Sequence, residues 1–267
     1  MSIIMKVLKL ILPLFLVGVL AACGETNKEP EEIIPLTTEE YQQMYNNPAE
    51  FVGRGVEFYG KIFVTPERDE ERTYLQVFAD NDLDRNTIIA VQDPNLDVED
   101  GDIIRVVGTV MEPFEGENSF GGSLTAPLIA ATDIETTDYM TAFAPAIETI
   151  EVNQEIAQHD VNLIVEKIEI AEQETRVYVK IENNSSDEFS FYSFNQRAII
   201  ENTQLDTEDN WEANYPEVQS NILPGIETSG ILLFPKFEGE SVRLHLEGRS
   251  DDFSLDFEPF NFDINLK

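Results

Sequence analysis

Cysteine is all but missing from this chain: of 267 residues only Cys23 is one, so no internal disulfide forms and any core must hold by burial alone. Histidine is nearly as scarce, with His159 and His245 the only two. Positive charge is the third shortage, because 17 Lys and Arg face 52 Asp and Glu for a formal net charge of -35. Such a surface repels phosphates, which excludes nucleic acid as a partner and leaves cations or basic surfaces. Solubility in a saline outside medium accounts for the same charge, since salt screens like charges within about 10 Å. Apolar side chains are not in short supply. At 42% hydrophobic and 10% aromatic residues the chain departs from a disordered polyelectrolyte, and it is expected to fold into one or two domains.

A long uncharged apolar run is also lacking. Lys6 and Lys9 precede or interrupt the stretch from Val7 to Leu20, which contains Pro13 and Gly18. That is short for a spanning helix but suits the apolar region of a secretion signal, followed by the small residues Ala21 and Ala22. Leu20-Ala21-Ala22-Cys23 resembles the bacterial lipobox, in which the cysteine is diacylated and becomes the first residue of the mature protein. The resemblance implies a signal peptide over residues 1–22 and a lipid (palmitate-type acyl chains) on Cys23. It further implies a protein held on the extracytoplasmic face of the cell membrane. Residues 23–35 are polar and charged and read as a flexible tether. Cleavage before Cys23 leaves 15 basic and 52 acidic residues, net -37.

From there the periodicity predicts an all-β protein. Thr38 with Glu39 and Glu40 reads as a capping signature for a short helix through Tyr41, Met44 and Tyr45, stopped at Asn46-Asn47-Pro48. Alternation then predicts strands at Val56 to Val64 with a bulge at Gly60, Tyr74 to Phe78, Thr87 to Val91, Ile103 to Val110 and Leu128 to Ile134. Turns fall at Pro66 to Glu71, Ala79 to Asn86 and Asp93 to Gly101. The segments Val56 to Ile62 and Gly101 to Val110 resemble the first and fourth strands of the OB-fold. That resemblance implies a small five-stranded barrel with a short helix over residues 36–140, and a ligand face carrying Tyr74, Gln76 and Phe78. Between positions 35 and 140 there are 22 acidic and 6 basic residues, which departs from nucleic-acid-binding members of that fold.

Thr136 to Ala146 has no convincing period and reads as a join. Beyond it, residues 150–267 alternate again: Val177, Val179 and Ile181; Val242, Leu244 and Leu246; Phe253, Leu255 and Phe257; Phe260, Phe262, Ile264 and Leu266. With Asn183-Asn184-Ser185 and Leu223-Pro224-Gly225 between strands, this half resembles the immunoglobulin-like domain of secreted Gram-positive lipoproteins, which implies a two-sheet β-sandwich of about seven strands. Trp211 stands apart in a loop-like acidic stretch.

Catalytic chemistry has few residues to draw on. His245 falls on a polar face beside Arg243 and Glu247, His159 adjoins Asp160, and no serine occupies a nucleophile elbow. Two histidines and one acylated cysteine leave no zinc set, and no cofactor is expected. The acidic loop Asp80-Asn81-Asp82-Leu83-Asp84 is a calcium candidate through Asp80, Asp82 and Asp84, although it lacks the glycine and closing glutamate of an EF-hand. The stretch Pro113 to Gly122 sets Phe114 and Phe120 among glycines, either plugging a barrel mouth or forming a ligand loop. The reading is a non-enzymatic cell-envelope lipoprotein, a binding or scaffolding module whose partner is an envelope protein or a polysaccharide. The alternatives are a structural or assembly module without a small ligand, and a carbohydrate-binding accessory protein.

Overall fold

The computed structural model describes residues 33–117 and 123–267. The signal segment, Cys23 and the tether up to residue 32 lie outside them, as does Phe120.

The first half opens on helix α1 (Thr38–Met44), whose N-cap is Thr37: the Thr37 hydroxyl accepts from the Glu40 N–H while the Glu40 carboxylate accepts from the Thr37 N–H. Arg54 clamps the same carboxylate at 2.8 Å and holds the Glu40 carboxyl at about 2, well below the usual range. A 3-10 turn (Pro48–Phe51) follows. Strands β1 (Gly55–Ile62), β2 (Glu67–Arg68), β3 (Thr73–Ala79), β4 (Asn86–Val91), β5 (Ile103–Glu117) and β6 (Ser123–Thr137) then form a six-stranded sheet in the order β1-β5-β6-β4-β3-β2. All neighbours run antiparallel except β4 and β6, which are parallel. Alternation fills the core as expected: Leu75, Val77 and Ala79 of β3 are buried, as are Ile104, Val106 and Val110 of β5.

The arrangement is not the compact five-stranded OB-like barrel that the sequence suggested. A sixth strand, β2, lies at one edge, where the sequence reads as a turn. β1 and β3 touch through only three residue pairs, Gly60↔Ala79 to Ile62↔Val77. β5 and β6, at 15 residues each, extend well beyond Val110, so that Pro113 to Glu117, at the start of the stretch the sequence marks as a glycine-rich loop, belong to β5. Pro113 lies in the register shift between Met111 and Phe114, where a missing N–H costs no ladder bond. Gly60 matters for close approach rather than for a bulge, since a Cβ there would lie 3.0 Å from the Val77 side chain.

The predicted join is structured. Asp138 caps a one-turn helix α2 (Tyr139–Ala142), its side chain accepting from the Thr141 N–H. The second half comprises β7 (Glu148–Gln158), β8 (Val161–Ile170), β9 (Glu174–Asn183), β10 (Phe189–Phe191), β11 (Arg197–Ile200), β12 (Thr203–Asp206), β13 (Asn221–Ile222), β14 (Ile226–Pro235), β15 (Ser241–Leu246), β16 (Gly248–Ser250) and β17 (Phe260–Asn265). These pair into three sheets, β14-β9-β8-β7, β12-β11-β15-β17 and β13-β10-β16. The expected two-sheet immunoglobulin-like sandwich of about seven strands is thus corrected to eleven strands in three sheets, because short strands such as β10, β13 and β16 pair only with one another. Phe253 to Phe257 is a loop despite its alternation. Asp252 accepts from the Ser254 N–H and turns the chain, and Phe253 is 89% exposed.

Two buried clusters result, one over residues from Met44 to Ile129 and one over residues from Val161 to Leu266. A polar contact crosses between the halves, Asn81 donating to the Glu212 carboxylate at 2.6 Å, and the wholly buried Arg176 of β9 donates to the Ala144 carbonyl of the join at 2.7 Å.

Candidate binding face

Strand period two sends Tyr74, Gln76 and Phe78 to the outer side of β3, each half-buried. Directly paired residues share a side, so the register extends this face across four strands. One row runs Tyr74, Ala90, Ala130, Thr109 and the next Gln76, Ile88, Leu128, Met111. The floor of the first row is small, and the rim of the second is apolar, with Met111 exposed. Arg72, Ala90, Thr109, Met111, Leu128 and Ala130 line a shallow groove of about 730 Å³ on this face, and Tyr74 lies beside it, opposite Ala90. Tyr74 is held by a hydrogen bond from its hydroxyl to Asp69 at 3.0 Å, and backbone N–H groups of Glu71 and Arg72 keep the Asp69 carboxyl below the usual range. Phe78 stacks on Phe63 with ring centres 3.8 Å apart and planes 12° from parallel.

Of the residues singled out in the sequence, Tyr74, Gln76 and Phe78 are brought together. Phe114 is not with them: it lies on the β5–β6 hairpin opposite Ala126, partly exposed, its ring against Gly116. Ala90, Ala130, Thr109 and Met111, which complete the face, carry no sequence signal, because small residues in a strand become a groove floor only when the neighbouring strand is in register.

The Asp80 loop is filled from within. Asp80 and Asn81 adopt left-handed backbone (φ 54° and 56°) in a tight turn closed by the Asp82 N–H donating to the Ala79 carbonyl at 3.0 Å. Arg85 bridges the carboxylates of Asp80 and Asp82, reaching Asp82 at 3.2 Å, and its guanidinium also sits over the Tyr41 and Tyr45 rings. Asp84 lies beyond the clamp, exposed, its N–H donating to the Asp82 carboxylate. Among the described residues no group of three or more His, Cys, Asp or Glu is placed to hold a metal ion. Melting temperature is therefore expected to rise with sodium chloride, which relieves self-repulsion, and to rise no further with calcium chloride at matched ionic strength. A rise of several degrees seen only with calcium, and lost when Asp80, Asp82 and Asp84 become Asn, would reverse this reading.

The histidines sit in separate surface hydrogen bonds. His245 contacts Asn261 at 2.9 Å and Glu247 at 3.2 Å, and His159 meets the Asp256 carbonyl at 3.0 Å from the turn between β7 and β8.

No family model matches the chain, and no curated protein matches it. Among solved structures it is similar to the crystal structure of a functionally unknown protein from Listeria monocytogenes EGD-e, at 10% identity and a TM-score of 0.39, covering 46% of this chain and 88% of that one.

Proposed function

We propose that this chain is a non-enzymatic cell-envelope lipoprotein, anchored through Cys23 on the extracytoplasmic side of the membrane, whose first half binds envelope polysaccharide on the outer face of β3, β4, β6 and β5. The observation that supports this most is the four-strand face itself. Tyr74 and the Phe63–Phe78 stack offer flat surfaces for the C–H faces of sugar rings, while the Gln76 amide and Thr109 hydroxyl offer donors and acceptors to sugar hydroxyls. Ala90 and Ala130 leave depth for an extended chain.

Among the described residues no helix is long and apolar enough to cross a membrane. Attachment through acyl chains on Cys23 supplies the anchor in this reading, two chains being enough for stable binding. Replacing Cys23 with Ala is expected to move the protein from the membrane fraction to the soluble or unprocessed pool. An unmodified thiol on the mature N-terminus by mass spectrometry would remove the anchor.

The binding half of the proposal is tested by cosedimentation with purified cell-wall polysaccharide. Tyr74→Ala together with Gln76→Ala is expected to weaken binding at least about tenfold, or about 1.4 kcal/mol, without changing the circular dichroism spectrum. Equal binding by parent and variant would exclude this face as the binding site, and no binding by either would favour a structural or assembly module. That second reading draws on one observation, the Asn81–Glu212 hydrogen bond that ties the two halves together.

A further inference from the structure

The loop between Thr207 and Ser220, in the second half, leaves a groove of about 340 Å³ beside β14. Two large aromatic side chains on its lining face solvent, Trp211 at 85% exposed and Phe194 at 70%, while Val218 and Leu232 beneath are buried. The loop is held in place by its backbone. The Ile231 N–H donates to the Pro216 carbonyl and the Glu208 N–H to the Leu233 carbonyl, both at 2.8 Å, and the Thr207 hydroxyl donates to the Ser193 carbonyl at 3.0 Å. The chain passes so close over Gly230 that a Cβ there would lie 2.4 Å from the Val218 nitrogen. Trp211 and Phe194 are thus presented from an anchored platform, with the ordering cost of binding partly met in advance.

The charge around them is one-sided. Glu208, Asp209 and Glu217 line the same groove and are exposed. Among the described residues none of the three has a cationic side chain within ion-pair distance. Elsewhere the chain uses its few cations to neutralise clustered carboxylates: Arg105 serves Glu57, Asp133 and Glu135, and Arg85 serves Asp80 and Asp82.

We infer that this groove docks a cationic, partly apolar segment of a partner protein, an extended stretch in which Lys or Arg alternates with aliphatic residues. The aliphatic side chains cover Phe194 and the groove floor. An ammonium or guanidinium group sits over the Trp211 ring and pairs with the carboxylates as water leaves. A neutral glycan would leave three carboxylates unused, and an anionic polymer would be repelled. This surface is distinct from the face on β3 to β6 and adds a protein-binding function to it.

Trp211 is the only tryptophan in the chain, so its emission reports directly on the groove. The full chain is titrated with a short synthetic peptide of alternating Lys and Leu. Expected are a saturable blue shift, protection from acrylamide quenching, and an affinity about tenfold weaker when salt is raised well above about 0.15 M. Glu208→Gln, Asp209→Asn and Glu217→Gln together should weaken binding at least about tenfold. Removing the same number of charges from β7, by Glu148→Gln, Glu151→Gln and Glu155→Gln, should leave the affinity within about twofold of the parent. The inference is overturned by an unchanged emission spectrum, or by equal losses in the two triple variants, which would mean diffuse attraction to an acidic protein. A saturable shift of the same size with a neutral oligosaccharide or with the peptide bearing Gln for Lys would overturn it as well.

Discussion

Replacing Arg176 with Ala is expected to cost the folded chain about 3–5 kcal/mol, read from urea unfolding. The side chain is 1% exposed, yet its charge is compensated on every side. It donates to Glu174 at 2.8 Å, to Glu169 at 3.2 Å, to the Tyr215 hydroxyl at 3.4 Å and to the Ala144 carbonyl at 2.7 Å. Tyr215 in turn donates to Glu174, and Tyr178 donates to Glu169 at 2.8 Å. Alanine would leave Glu174, 12% exposed, without a cation and Glu169, 13% exposed, with Lys167 alone, and would free the segment after α2. The penalty is that of stranding buried charge, which exceeds the net worth of the intact pair.

The same network sets a pH dependence. Burial opposes ionisation of Glu169, but the Lys167 and Tyr178 hydrogen bonds and the charges of Lys167 and Arg176 outweigh it and hold the carboxyl below its usual range. A carboxyl lowered on folding adds stability that is fully present above its unfolded value of about 4.3 and is lost as pH falls through the lowered folded value. Parent stability should therefore fall with acid below that point, and the gap between parent and Arg176→Ala should shrink there. A variant within about 1 kcal/mol of the parent at pH 7 would show that the network is dispensable.

A comparable loss, about 3–5 kcal/mol, is expected for Phe262→Ala in the second cluster and for Phe58→Ala in the first, since both rings are buried and their removal leaves a cavity as well as lost transfer energy. The two should differ in where they act. Phe262 faces Leu244 across β15 and β17, so its loss is expected to speed amide exchange over residues 150–267. Phe58 lies opposite Val106, and its loss should speed exchange over residues 36–140. Acceleration of both halves by either change would mean that contacts such as Asn81–Glu212 weld the two halves into one cooperative unit.

Much of the strand content was legible. Alternation correctly placed the inward residues of β3, β9, β15 and β17, because a side-chain period of two follows from the backbone alone. It failed where local hydrogen bonding competes with the ladder. Phe253, Leu255 and Phe257 alternate like a strand, but the Asp252 side chain caps a turn and Pro259 follows. It failed also in the join, where Asp138 caps a helix of four residues, too short to leave a period.

What this chain's sequence determined by itself is its β character, its reliance on burial without disulfides and its acidity, since these depend on residue type and spacing. It also placed Tyr74, Gln76 and Phe78 on one face. Which strands pair, and therefore what surfaces exist, was decided only in three dimensions. The six-stranded order with β2 at its edge and the three sheets of the second half both arise from contacts between residues far apart in the chain, whose stability depends on packing that no local pattern encodes. For the same reason Ala90 and Ala130 become a groove floor, Arg176 becomes a buried tie, and Trp211 is held out in water on a groove it shares with Glu208, Asp209 and Glu217.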